Sequence, residues 1–439
     1  MRITSAIMAL ILTEGLRLNH IRMSPIASMN HGYLLALKLA FHEYSLMKNR
    51  FISMGLGSVV MAVAGSAAFA QEPEFSDVFT SGKEGYKSIR IPAVAISKIG
   101  TVLAFAEGRA VATDQAANDI ILKRSSDGGK TWGPLMLIAD DGANSLNNPT
   151  VVVEQQSGRV YLMIQRIPWH LNEWSSAIET GYEGTNVYRN LLFWSEDDGL
   201  TWSKPMDVTR TTKRPVGATT LASGPGNGIQ LTRGPHKGRL ILPFNEGPCW
   251  QWNNFAVFSD DRGHTWQYGD NVPGALVPDA KQGHRSQLNE AQMVELNDGS
   301  VRLNSRAFAG AKLRKTSVSK DGGKTWSPVK DVPELRDPSC NGSIFRYSFN
   351  DGTRHGRILY SGPDSMKRDT GTVHLSLDDG HTWPVKRILW PGSFAYSALT
   401  KTADGVVGCL FETDNYGRIV FARFPIEWIE TAEAKPTGK

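Results

Sequence analysis

Cysteine is scarce in this chain of 439 residues: only Cys249, Cys340 and Cys409 occur. An odd number at wide spacing excludes a fold built on a disulfide framework. It reads as buried free thiols, with one pair plus one free thiol left open. No group of cysteines and histidines has zinc-ligand spacing, and no EF-hand loop is present despite many aspartate-rich turns, so nothing requires a metal or another cofactor. Long amphipathic helical patterns are also missing, which leaves short strands as the structural material. Charge of one sign is lacking too. The formal net charge is +5, yet residues 1–70 hold six Lys/Arg and two Asp/Glu, and the remainder carries +1. A nucleic-acid partner, which needs a broad basic face, gets no support from that balance. With 41% hydrophobic and 21% charged residues, the chain has apolar surface enough for a core.

The start of the chain is different in kind. From Met47 it reads MKNR, then FISMGLGSVVMAVAGSAAFA, then QEPEF, the basic, apolar and A-x-A order of a secretory signal peptide with cleavage after Ala70. An uncleaved membrane anchor is the competing reading, but the run is broken by Gly and Ser and is close to the minimum spanning length. Residues 1–46 read as an upstream extension, 47–70 as the signal peptide, and 71–439 as one domain. That domain is expected to be secreted or periplasmic, without stable membrane insertion.

What the sequence has in abundance is one repeated octapeptide. SSDGGKTW (125–132) returns as SEDDGLTW (195–202), SDDRGHTW (259–266), SKDGGKTW (319–326) and SLDDGHTW (376–383). Ser, Asp, Gly, Thr and Trp keep positions one, three, five, seven and eight in all five copies. Aspartate accepts from nearby amides, glycine supplies a positive φ, and Thr-Trp favours a pleated strand, so each copy is expected to be a tight turn between antiparallel strands. Starts spaced by 70, 64, 60 and 57 residues match blades of four short strands, and the fold class expected is an all-β, six-bladed propeller. The sixth blade, without a box, is expected to close the ring by pairing 75–81 with 419–423. Apolar runs at 101–106, 120–123, 151–154, 160–165, 238–243, 357–361 and 405–411 read as strands. The stretch 166–190, with Trp169 and Trp174, is too long for a blade connection and reads as a loop over one mouth of the ring.

Chemistry is sought in polar residues that break the repeat. Arg90 lies in SIRIPAV, Arg109 ends a strand after Glu107, Asp114 sits in TDQAAND, Glu290 in LNEAQMVEL, Arg306 in RLNSR, Arg368 in MKRDTGTVHLS, Tyr396 in SFAYSAL and Glu412 in LFETD. Singly, each has a bland reading as a paired surface arginine, a satisfied carboxylate or a core tyrosine. Together with GPGNGIQL and RIVFARF, these motifs resemble, over 75–428, the bacterial exo-α-sialidases of the Asp-box family.

That resemblance implies hydrolysis of terminal α-linked sialic acid from glycans, glycoproteins or glycolipids. It makes Arg90, Arg306 and Arg368 a triad for the sugar carboxylate, Glu412 the residue that orients Arg90, Tyr396 the nucleophile, Glu290 its base and Asp114 the acid/base. Arg109 corresponds to the arginine near the 4-hydroxyl, and Asn148 stands where many relatives place a carboxylate. Gln230 and Trp169 are further candidates to line the site. Two rivals are transfer of the sialyl group, to another sugar or to its own hydroxyl, and a binding propeller without turnover; the latter is expected to lack Asp114, Tyr396 or Glu290.

Overall fold

The computed structural model describes residues 71–277 and 285–432. The extension expected over 1–46 and the leader expected over 47–70 lie outside the described residues. Among the described residues, no helix is long and apolar enough to cross a membrane.

Strand β1 (Glu74–Thr80) comes first in the chain and is used last in the fold. A first sheet takes β2 (Ser88–Ile96), β3 (Val102–Arg109), β4 (Asn118–Ser125) and β5 (Met136–Ala139) in sequence order. The second holds β6 (Ser145–Val153), β7 (Val160–Ile167), β8 (Arg189–Ser195) and β9 (Met206–Asp207), followed by the one-turn helix α1 (Thr209–Thr212). In the third, β10 (Leu221–Ser223) and the two-residue strands β11 (Gly226–Asn227) and β12 (Ile229–Gln230) precede β13 (Leu240–Glu246), β14 (Asn253–Ser259) and β15 (Gln267–Tyr268). The order there is β10-β13-β14-β15, while β11 pairs with β6 of the second sheet. The fourth runs β16 (Leu288–Glu295), β17 (Val301–Ala307), β18 (Leu313–Ser319) and β19 (Lys330–Arg336).

The remaining strands are β20 (Ser343–Ser348), β21 (Arg357–Pro363), β22 (Asp369–Ser376), β23 (Val385–Lys401), β24 (Val407–Thr413) and β25 (Arg418–Phe424), with helix α2 (Ile426–Glu430) after them. They join β1 in one seven-stranded sheet, because the 17-residue β23 pairs with β22 through its first half and with β24 through its second. Two four-stranded groups thus share β23. In the last group β25 pairs with β1, Phe75 opposite Ala422 and Phe79 opposite Ile419, as the edge-closing argument expects.

Central strands such as β3, β13, β16 and β24 are buried along their whole length, since both faces meet apolar neighbours. The core is divided among the groups. Phe105 and Leu122 of the first meet Leu162 and Phe193 of the second; Tyr161 and Met163 of the second meet Leu242 and Phe255 of the third. Similar clusters join third to fourth, fourth to fifth and fifth to sixth, and Ile419 and Phe421 of the sixth meet Ile89, Ala104 and Ile121 of the first.

Each octapeptide connects the third and fourth strands of its group. The serine hydroxyl donates to the aspartate and accepts the glycine amide, while the threonine amide and hydroxyl both go to the aspartate, at 2.5 to 2.9 Å in every copy. This corrects the expectation that Thr and Trp begin a strand. With its donors committed to the aspartate, threonine stays out of the ladder, and the next strand starts one to four residues past the tryptophan. The tryptophan instead packs on the preceding group. Trp202 lies edge-on to Phe105 and Trp266 to Tyr161, while Trp132 of the first group reaches Phe421 of the last. At Gly129 a Cβ would meet the Phe421 ring at 2.2 Å, so both the positive φ and the close approach require glycine. The sixth group has no such loop because its third and fourth strands, β25 and β1, come from opposite ends of the described chain.

No disulfide forms: Cys340 and Cys409 are buried free thiols, and Cys249 is only half-buried.

Candidate active site

Arg90 sits where the ladder of β2 is broken. Pairing with β3 slips between Arg90 and Ala93, and Ile91 takes a φ of 62° ahead of Pro92. A β-branched residue in left-handed backbone is strained, and it persists only when its surroundings hold it. Glu412 of β24, fully buried, does so. Its Oε1 accepts the Ile91 amide at 2.8 Å and Arg90 Nε at 3.0 Å; its Oε2 accepts Arg90 Nη2 at 3.0 Å and the Tyr396 amide at 3.2 Å. One carboxylate therefore fixes the bulge, the guanidinium and the backbone of β23.

Tyr396 projects from β23 toward Glu290 of β16, and its hydroxyl donates to the carboxylate at 2.7 and 2.6 Å. Arg306 of β17 donates through Nη1 to both, at 2.8 Å each, while its Nε is buried without an acceptor among the described residues. Arg368, just ahead of β22, donates to the Ser339 carbonyl at 2.8 Å and to the Tyr416 hydroxyl at 3.1 Å. The Tyr416 ring in turn lies under Arg90, 4.1 Å from its guanidinium carbon. Tyr416 reaches that place through three successive residues at positive φ, Asp414, Asn415 and Tyr416, an arrangement that side chains disfavour.

A second buried glutamate repeats the Glu412 device. Glu107 of β3 accepts Arg109 Nε at 2.8 Å and the amide of Asn148 at 2.7 Å; Asn148 has a φ of 55° and precedes Pro149, as Ile91 precedes Pro92. Arg109 Nη1 then donates to Asp114 Oδ1 at 2.8 Å, with Arg90 Nη1 3.6 Å away. Asn148 donates its side-chain amide to the Ser223 carbonyl at 3.1 Å.

Electrostatics follows from this crowding. Burial drives the Tyr396 phenol well above its ordinary value near 10, with Arg306 and Arg368 pulling back. Burial also pushes the Asp114 carboxyl up, but Arg109, Arg90 and Arg306 together outweigh it and hold Asp114 below the usual carboxylate range. As the structure stands, Asp114 is an anion paired with Arg109.

Arg90, Arg109, Asp114, Asn148, Glu290, Arg306, Arg368 and Tyr396 all line one cavity of about 260 Å³, and Glu412 lies behind its wall. Two candidates fall elsewhere. Gln230 is held by Glu154 and the Gly238 carbonyl at a separate cavity, and Trp169 points outward, 69% exposed. Their neighbours explain both: β12 carries Gln230 along the third sheet, away from the cavity, and it is Glu173 and Trp174 of the same long loop that turn inward. Glu107 is named beside Arg109 in the sequence but given no role there, and Glu173 and Tyr416 are not among the candidates. Glu107 had a signal, since FAEGR places a glutamate at a strand end as LFETD does; the other two had none.

First and second strands meet the cavity with their outer ends, whereas third strands end at the octapeptides, so antiparallel order puts the octapeptides at the opposite end. Residues 100–409 match the family described as "BNR repeat-like domain". The sialidase of Micromonospora viridifaciens is 33% identical over 371 residues, 80% of this chain but 54% of that protein, so the chain spans about half its length. Sialidase-2 of Mus musculus is 30% identical over 380 residues, 79% of this chain and 94% of that one. Among solved structures, a Hadza microbial sialidase superposes with a TM-score of 0.70 at 27% identity, covering 81% of this chain and 69% of its own.

Strand groups, five of them carrying such a box between their third and fourth strands, define the class, an all-β protein of BNR repeats. Within that class the chain belongs to the sialidase family of glycoside hydrolases.

Proposed function

We propose that this protein is an exo-α-sialidase that removes terminal α-linked sialic acid from glycans, glycoproteins or glycolipids, with retention through a tyrosyl-enzyme intermediate. The observation that carries this reading is the buried Tyr396 hydroxyl on Glu290, bridged by an Arg306 whose Nε has no acceptor among the described residues. Arg90, Arg306 and Arg368 bind the sugar carboxylate, which planar guanidinium forks match in pairs of hydrogen bonds. Glu412 orients Arg90, and Arg109 with Asn148 faces the ring hydroxyls.

Sialidases with a tyrosine nucleophile stand outside the usual two-carboxylate scheme, and the charge on the substrate supplies a reason. A carboxylate nucleophile 4 Å from the sugar carboxylate would face repulsion of roughly 4 kcal/mol at an intermediate dielectric. A phenol avoids that repulsion but needs a base. Glu290 takes the Tyr396 proton while the phenolate forms beside Arg306 and Arg368, and the phenolic oxygen bonds to the anomeric carbon. Asp114 gives its proton to the departing glycosidic oxygen; water, deprotonated by Asp114, later displaces Tyr396. The sugar carboxylate neutralises Arg90 and Arg306, two of the cations that keep Asp114 ionised, and so moves Asp114 toward its acid form.

Six strand groups with contacts from each to the next, and from the last to the first, support a six-bladed propeller. The segment 47–70 supports export to the periplasm or beyond, and sequencing of the exported protein should find Gln71 first. Time-resolved NMR of a sialyllactose digest tests the activity. The α-anomer of free sialic acid is expected to appear first; β-anomer first, or no cleavage, would contradict the proposal.

A further inference from the structure

Glu173 lies on the long connection between β7 and β8 and lines the same cavity as Asp114, Glu290 and Arg306. Three contacts fix it there. Leu171 is buried in the core between the second and third groups. Asn172 closes a turn, accepting the Trp174 amide and donating its own amide to Ser175 Oγ, each at 3.0 Å. The Trp174 ring packs 4.6 Å from Trp250 and edge-on to Trp252 at 5.8 Å. Between these anchors the Glu173 carboxyl receives no hydrogen bond from the described residues.

The groups that face it are Arg306, Asp114 and Glu290, with Tyr188 and Cys249 beside it. Burial raises Glu173 most; Arg306 opposes, and the anions Asp114 and Glu290 add to the rise, leaving this carboxyl pushed up to about 7. Burial also pushes the Tyr188 phenol far up and the Cys249 thiol up to about 12, so neither changes charge near neutrality. Asp114 sits at the other extreme, ionised well below it. Around the cavity, Arg90 pairs with Glu412, Arg109 with Glu107 and Asp114, and Arg306 with Glu290, whereas Arg368 is bonded to the Ser339 carbonyl and the Tyr416 hydroxyl. Glu173 lines the same cavity without an ion pair among the described residues.

Resting on the sialidase reading above, we propose that Glu173 faces the bound sugar and takes up a proton when the site binds a sialic acid, so that this side chain makes the affinity for the anionic substrate depend on pH near neutrality. The substrate brings a further negative charge into a cavity that already holds Asp114 and Glu290. Repulsion then favours neutral Glu173, and by reciprocity protonated Glu173 favours the substrate. The sign follows: affinity is full while the free protein holds the proton, below about pH 7, and falls by up to about tenfold per pH unit above that, until the higher bound-state value is reached.

Calorimetric titration of the full chain with a 2,3-unsaturated sialic acid, in buffers of different ionisation enthalpy, counts the protons. Uptake of nearly one proton per site is expected at about pH 8 and little at about pH 6. This reading uses the parent protein and needs no variant to fold. Between about pH 7 and pH 8 the parent's Kd should rise severalfold, approaching tenfold, whereas Glu173→Gln, neutral throughout, should change by less than about twofold. Binding without proton uptake at the higher pH, or the same pH slope in Glu173→Gln as in the parent, overturns the inference and leaves the sialidase reading standing. Failure to bind the analogue at either pH overturns both.

Discussion

Arg306 uses a single nitrogen, Nη1, to bridge Glu290 and Tyr396, and its Nε is buried with no acceptor among the described residues. A buried donor without a partner costs free energy until something accepts from it, and the acceptor proposed here is the carboxylate of the substrate. In Arg306→Lys an ammonium replaces the fork, so kcat/KM for sialosides should fall by about tenfold to several hundredfold. Analogues lacking the carboxylate should lose only the share that comes from the Arg306 bonds to Glu290 and Tyr396, and so less than sialosides do; an equal loss for both would contradict the triad. Asp114 makes a different prediction, because the role proposed for it is proton transfer to the leaving oxygen. Asp114→Asn should slow natural sialosides far more than aryl sialosides, whose phenolate leaves without a proton, and steady-state rates on the two substrates measure the difference. At this scale the sequence was informative wherever a charged residue broke an apolar strand. Tyr416 was illegible because its place depends on three left-handed residues in a row, a backbone path no side-chain pattern announces.

The octapeptide loops and the X-Pro bulges are the elements that do the positioning. In the loops, burial raises the five aspartates, but bonds from Thr and Ser hydroxyls and from amides outweigh it and hold all five below the usual range. Carboxylates depressed on folding contribute stability that is present above the unfolded value near 4 and is lost as pH falls through the folded values. The loops therefore make the melting temperature drop steeply below about pH 4, while the raised Glu173 carboxyl lowers it as pH rises between about pH 5 and pH 7. Asp378→Ala should destabilise by about 1–3 kcal/mol while leaving the KM of the folded fraction unchanged, since its loop lies at the end away from the cavity. A changed KM at unchanged stability would refute that placement. The turn between strands was legible from Asp, Gly and Thr. That Thr and Trp stay outside the strands was not, because it depends on the aspartate holding threonine's amide and on an aromatic partner one group away.

At the scale of the molecule, the first described strand pairs with the last, the contact on which the proposed propeller closes. Removing 71–80 would take Val78 and Phe79 from the core shared with the first group and leave β25 as an open edge. A large fall in melting temperature and a tendency to associate are expected; an unchanged melt would contradict closure by β1. Five repeats made the strand groups countable, and 75–81 with 419–423 could be matched as partners because the box was missing from one group only. The cavity itself could not be read, since it is assembled from strands as far apart as β2 and β23, and Glu173 enters it from a loop without a pattern. Whether this assembly makes Tyr396 a nucleophile is decided by trapping with a 2,3-difluorosialic acid and mapping the adduct by peptide mass spectrometry. A sialyl adduct on Tyr396, lost in Tyr396→Phe, is the predicted result; an adduct on Glu290 or Asp114, or turnover of sialosides with none formed, would contradict it.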